Sequence, residues 1–134
     1  MKTVFVDTNV ILDVLLQRGA FWQDAMKVFT LAELGEFRAC VSASSITDIF
    51  YVAKKKLTTT VARAAIDKLL YLFEVVSVDI NDLRSALALP IDDMEDALQV
   101  WCAQKVKADA LITRDVGDFQ DIGIAVITPA DYQS

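Results

Sequence analysis

Acidic side chains placed just after short apolar runs are the residues of this sequence best suited to chemistry. Asp7 ends Val4-Phe5-Val6 and precedes Thr8 and Asn9; Asp48 follows the run Phe37–Ser42; Asp96 closes Asp92-Asp93-Met94-Glu95-Asp96; Asp115 and Asp118 follow Ala110–Thr113. The chain contains no histidine. That removes Ser-His-Asp and Cys-His hydrolysis, histidine general bases and every histidine-containing zinc or iron site. The remaining actors are carboxylates, hydroxyls, amides, Lys and Arg. Carboxylates without His or Cys select hard cations, Mg²⁺ or Mn²⁺. Crowded together with no cation, they repel one another and titrate high; with one, the same crowding becomes a site.

The elements that must position these acids alternate between short apolar strands and amphipathic helices. Thr3 to Val6 is β-branched and aromatic and reads as a strand buried on both faces. Val10, Ile11, Val14 and Leu15 recur at helical spacing, which predicts a helix over about Asn9–Leu16. Asp7, Thr8 and Asn9 therefore lie between the carboxyl end of a strand and the amino end of a helix, where open α/β sheets place ligands. Capping that helix is an equally available role. A helix over about Phe21–Leu34, a strand over Phe37–Ser42 and a helix from Ser44 or Ser45 to Lys56 follow, with Asp48 in the first turns of the last. Thr58 to Thr60 open a fourth helix, Glu74–Val78 forms a strand, and Asn81–Leu89 a short helix ended by Pro90. The next helix opens at Asp92 and runs to about Lys107. Asp92 with Glu95 fits a capping box, and Asp93 and Asp96 share a face, with Asp96 directed inward. Ala110–Thr113 and Ile124–Ile127 are the last strands. This order predicts an α/β chain with a parallel sheet covered on both faces.

A chain of 134 residues reads as one domain, 1–134, that buries about two thirds of its unfolded surface. Only a short stretch separates Lys2 from Asp7, and Asp13, Asp24 and later charges interrupt every apolar span, so the expectation is a cytoplasmic protein with no membrane segment. Cys40 and Cys102 have neither zinc spacing nor a disulfide framework and read as buried free thiols. The net charge of −6 argues against broad adhesion to nucleic acid or anionic membrane. Nucleic acid stays open as a substrate, since a cation neutralises gathered acids locally and basic residues can rim the pocket. Arg114 and Lys54-Lys55-Lys56 are the residues to test there, although lysines at a helix carboxyl terminus are favourable without any ligand. Phe21, Trp22, Phe50 and Tyr51 are assigned to the core. A hydrophobic content of 54% predicts that a second subunit or a partner covers part of the surface, a homodimer being the simplest case.

The chain resembles the PIN-domain family and, within it, the VapC-like bacterial toxins. The resemblance rests on Val6-Asp7-Thr8-Asn9, Ser44-Ser45-Ile46-Thr47-Asp48-Ile49, Asp93-Met94-Glu95-Asp96-Ala97-Leu98 and Thr113-Arg114-Asp115-Val116-Gly117-Asp118-Phe119, in the family's order along nearly the whole chain. It implies a three-layer α/β/α sandwich with a five-stranded parallel sheet, and a Mg²⁺- or Mn²⁺-dependent nuclease acting mainly on RNA. It places Asp7, Asp48, Asp96 and Asp118 on the acidic positions, with Asp7, Asp96 and Asp118 as metal ligands. Asp48 stands where the family more often has Glu, and its shorter side chain favours a water-mediated role. Asp115 stands where Asn is common and competes with Asp118 for the last position; motif alignment favours Asp118. Cations held there would activate water and offset charge on a phosphodiester. Asn9 and Asp93 suit a supporting role, while Thr8, Thr113 and Arg114 suit contacts to a ligand or phosphate; for the hydroxyls and amides, cap or turn bonds are open too. A cognate antitoxin is the partner implied.

Other classes remain open at this level. A catalytically degenerate interaction module fits an acidic cleft that lacks the usual Glu, and a family nuclease in RNA processing needs no antitoxin. Aspartyl-phosphate transfer through Asp7 ranks lower, since haloacid-dehalogenase-like enzymes carry a second Asp where this chain has Asn9.

Overall fold

Strand β1 (Lys2–Val6) is the centre of the sheet, and its side chains divide the core in two. A computed structural model describes residues 1–132 and arranges β1, β2 (Phe37–Ser42), β3 (Glu74–Val76), β4 (Ala110–Ile112) and β5 (Ala125–Ile127) in the order β3-β2-β1-β4-β5. Every pairing is parallel, with Phe5 opposite Cys40 on one side and Leu111 on the other. Alternation along the strands sends Val4, Val6, Ala39, Val41 and Ile112 to one face, and Phe5, Cys40 and Leu111 to the other. The first face is covered by α1 (Thr8–Leu15), α2 (Trp22–Glu33), α3 (Ala43–Lys56) and α4 (Thr59–Leu72). The second is covered by α5 (Ile80–Leu87), α6 (Met94–Lys105) and a 3₁₀ turn, Val116–Phe119, whose Phe119 is buried. This is the expected α/β/α sandwich.

The chain leaves β1 toward β2 and β3, then returns to lay β4 and β5 on the other side. The direction of winding therefore reverses between β1 and β4, and the carboxyl ends of those two strands are where such a sheet opens a ligand crevice.

Several boundaries differ from the sequence expectation, each because a different polar side chain caps. Ser42, not Ser44 or Ser45, is the N-cap of α3: its Oγ accepts from the Ser44 amide at 3.3 Å. Strand β3 stops at Val76 instead of Val78 because Asp79 starts α5 with a capping box, its carboxylate accepting from the Asn81 and Asp82 amides. Asp93, not Asp92, caps α6, and Glu95 is not its capping-box partner. Phe21 and Tyr51, assigned to the core, are 50% and 61% exposed. Cys40 and Cys102 are free and buried, as expected.

One buried acid fastens α5 to α6. Asp82 accepts from Trp101 Nε1 at 2.9 Å, from its own cap's Asp79 amide at 2.9 Å and from Lys105 Nζ at 3.0 Å. These bonds, the Trp101 donor foremost, hold its carboxyl at about 2, below the ordinary 3.8. A depressed carboxyl contributes stability at pH values above its unfolded value, and that contribution is lost as the pH falls toward the folded one. Asp82→Asn is therefore expected to lower the thermal midpoint at neutral pH and to flatten the acid-induced loss of stability between about 3.8 and about 2, followed by circular dichroism.

Candidate active site

Asp7 ends β1 and is the N-cap residue of α1 by its backbone, with φ −67° and ψ 146°, yet its side chain makes no cap hydrogen bond. The carboxylate turns across the sheet instead. Thr113 Oγ1 donates to Asp7 Oδ2 at 2.7 Å, and the Asp7 amide donates to the Ile112 carbonyl at 2.9 Å. Capping is thus not the work of this carboxylate. Asp7 is 4% exposed, and burial pushes its carboxyl above the ordinary range; the Thr113 hydroxyl and the Gln99 side chain pull it back, and Asp115 pushes it further up.

Asp96 arrives from the opposite side, in the first turn of α6. Asp93 Oδ1 accepts from the Asp96 amide at 2.9 Å, which fixes where the helix starts. Burial pushes the Asp96 carboxyl up to about 6, with Asp93, Asp7, Asp118 and Glu95 adding their repulsion. Glu95 is raised as well, by burial and then by Asp48, Asp93 and Asp7. Asp7, Asp93, Asp96 and Asp118 therefore share one field. Asp48, exposed on α3, adds its repulsion to Glu95.

The carboxyl side of β4 holds the other half. Asn9 Nδ2 donates to Asp115 Oδ2 at 2.8 Å, and the Asp115 amide donates to Thr113 Oγ1 at 3.0 Å. Asp115 and Asp118 thus have different surroundings: the first is held by Asn9 beside Asp7, and the second acts on Asp96 from the 3₁₀ turn. Thr8 is buried, and its Oγ1 has no hydrogen-bond partner. Arg114 is engaged elsewhere than the sequence suggests: its Nε lies 2.7 Å from Asp13 Oδ2, and Nη2 donates to Asp13 Oδ1 at 3.2 Å. Lys54, Lys55 and Lys56 are exposed in the last turn of α3, where the helix dipole favours them.

Glu95 and Gln99 belong to this group although the sequence reading gave neither a place in it. Gln99 is buried among the apolar residues of α6, one turn beyond Asp96, and its Oε1 has no partner. The available signal was a lone amide inside Ala97-Leu98-Gln99-Val100-Trp101.

Among the described residues, no three acids or thiols stand together at metal-binding spacing. None of the ion pairs found there involves Asp7, Asp93, Asp96 or Asp118, so these acids have no basic side chain to offset them. The donor set nevertheless fits a hard divalent cation. It offers oxygen only, it is under mutual repulsion that a cation relieves, and it includes a buried amide oxygen without a partner.

Comparison with known proteins adds the following. Residues 3–117 match the model of the PIN domain family. Ribonuclease VapC1 of Aquifex aeolicus is 25% identical over 136 residues, spanning 98% of this chain and 93% of that protein. A toxin-antitoxin complex from Klebsiella pneumoniae shares the fold with a TM-score of 0.71 at 24% identity, over 98% of this chain and 99% of the other. Mycobacterium tuberculosis VapC20, a sarcin-ricin loop cleaving toxin, does so with a TM-score of 0.66 at 16% identity, over 81% and 86%.

The Asp96 carboxyl gives a direct check on the crowding. Its folded value of about 6 lies above the ordinary 3.8, so the folded chain holds that proton more tightly and stability falls as the pH rises through this window. In the presence of EDTA, Asp96→Asn is expected to raise the thermal midpoint at neutral pH by a few degrees and to flatten the decline between about 3.8 and about 6, read by scanning calorimetry.

Proposed function

Because the chain belongs to the PIN-domain family, whose model it matches over residues 3–117, we propose that it is a Mg²⁺- or Mn²⁺-dependent endoribonuclease and the toxin of a toxin–antitoxin pair. The observation that carries this reading is the convergence of uncompensated acids at the reversal between β1 and β4, with Asp7 turned inward to Thr113 instead of capping its helix. The similarity to a protein named a ribonuclease supports the choice of RNA.

In this reading Asp7, Asp96 and Asp118 would hold the cation, and Asp48 would contribute through water from beyond Glu95. A bound divalent cation supplies Lewis acidity, which activates water and offsets the charge that builds on the phosphate. The chain supplies the positioning. Thr113 fixes one oxygen of Asp7, Asp93 fixes the start of α6 and with it Asp96, and Asn9 holds Asp115 aside. With no histidine in the chain, the proton released from water goes to a carboxylate or to solvent.

An apolar groove of about 830 Å³ between α1, α2 and α4, lined by Val14, Leu15, Met26, Phe29, Ala65 and Leu72 among others, supports an antitoxin segment with an apolar face as the partner. Exposed Ile80 and Leu87 on α5, at 60% and 71%, support a homodimer. No helix among the described residues is long and apolar enough to cross a membrane, in keeping with work in the cytoplasm. A catalytically degenerate interaction module is the second reading, favoured by the lack of three acids at ligand spacing among the described residues. A nuclease of RNA processing would share the same chemistry without the antitoxin.

Total bacterial RNA incubated with the protein and Mn²⁺, followed by sequencing of new 5′ ends, is expected to give discrete cuts that EDTA and Asp7→Asn abolish. No metal-dependent cuts would favour the interaction module. Ala65→Arg, which places a charge in the groove, is expected to abolish co-purification with a co-expressed antitoxin and leave RNA cleavage unchanged.

A further inference from the structure

The proposed chemistry leaves the buried acid of α1 unused. Asp13 sits on α1 with 0% exposure, and acids are almost never that buried unless paired. Its partner is Arg114, through contacts of 2.7 Å from Nε and 3.2 Å from Nη2, with Arg18 Nη1 farther off at 3.8 Å. The Arg114 guanidinium is itself held from the other side, 4.2 Å from the centre of the Phe21 ring. A guanidinium that donates one hydrogen bond through Nη2, makes an ion contact through Nε and lies over a ring is held in both distance and plane.

What this grip controls follows from the neighbours of Arg114. Thr113, Arg114 and Asp115 are consecutive, and each is tied to α1 or its N-cap: Thr113 to Asp7 at 2.7 Å, Arg114 to Asp13 in the second half of the helix, and Asp115 to Asn9 at 2.8 Å. Asn9 and Asp13 are one helical turn apart and share a face. The outer two ties lie inside the acidic site; the middle one lies outside it, with Asp13 fully buried and Arg114 a quarter exposed. We propose that Asp13 and Arg114 form a positioning ion pair that sets the segment leaving β4 against α1 and thereby fixes the Thr113–Asp7 hydrogen bond and the Asp115 carboxylate. Its effect on RNA cleavage rests on the nuclease reading; the positioning does not.

Three variants test it. Asp13→Asn removes the acid and Arg114→Lys keeps the charge without the fork. The double variant Asp13→Leu/Arg114→Met removes both charges at once, a replacement that buried pairs tolerate in stability, so it separates positioning from folding. Crystal structures, Mn²⁺ titration calorimetry and cleavage kinetics are the readouts. The expected result in the double variant, and in each folded single variant, is a Thr113 Oγ1–Asp7 Oδ2 separation beyond hydrogen-bond reach and a Mn²⁺ dissociation constant raised at least about tenfold. KM for RNA and its salt dependence should stay unchanged. A direct phosphate contact by Arg114 would do the opposite: Arg114→Lys would raise KM and flatten the salt dependence, while Asp13→Asn would leave Mn²⁺ binding intact, and the proposal would fall. A double variant that keeps both the Thr113–Asp7 contact and the Mn²⁺ affinity would also overturn it. If the unmodified protein neither binds Mn²⁺ nor cuts RNA, the nuclease reading fails, and the Thr113–Asp7 separation in the variants still decides the positioning.

Discussion

The structure depends on the seam between β1 and β4. Those strands are neighbours in the sheet but far apart in the chain, and the seam is where the winding reverses. A 2.7 Å bond from a fully buried hydroxyl, Thr113, to a nearly buried carboxylate, Asp7, closes its carboxyl end. Bonds of this kind to an ionised partner are stronger than neutral ones, and leaving either group alone at that depth would be costly. The seam must therefore close in one register, and Asp115, tied to Thr113 and to Asn9, takes its place from that closure.

Two kinds of buried acid coexist within a small core. Asp82 and Asp13 are matched by donors from neighbouring elements, and they behave as structural fasteners. The buried Asp7 is matched only in part, by a hydroxyl and by side-chain and main-chain amides, the half-buried Asp96 carboxylate accepts no hydrogen bond, and no basic side chain reaches either among the described residues. The chain has bases enough to pair more acids, with thirteen Lys and Arg among its residues; Lys54, Lys55 and Lys56 sit instead at an exposed helix end. The difference between fastened and uncompensated acids, more than the number of acids, marks the site.

The fold was legible because its signals were local: short β-branched runs alternating with helical periodicity dictate a covered parallel sheet, and Asp7 falls at a strand-to-helix turn from Val4-Phe5-Val6-Asp7 alone. Helix starts were less legible. Asp92 and Asp93, or Ser42, Ser44 and Ser45, offer competing caps within a residue or two, and only the three-dimensional path selects one. The Arg114 pairing was hidden for a related reason: a cation beside an acidic motif suggests phosphate, while the acid it pairs with, Asp13, lies about a hundred residues away. Gln99 and Asp13 shared one overlooked signal, a lone polar side chain inside an apolar helical run. Such a residue needs a partner from another element, and that partner cannot be read from the run itself.

The capped start of α6 has a consequence for how long the protein survives. The folded chain gains from anything that offsets the charge around Asp96 and Asp7, whereas the unfolded chain, with its acids dispersed, gains little. By linkage, a bound cation or a basic side chain from a partner shifts the balance toward the folded form. Proteases act on opened chains, so compensation of these acids would slow turnover. The same carboxylates would then set the lifetime of the molecule as well as its chemistry, with the supply of compensating charge acting as the clock.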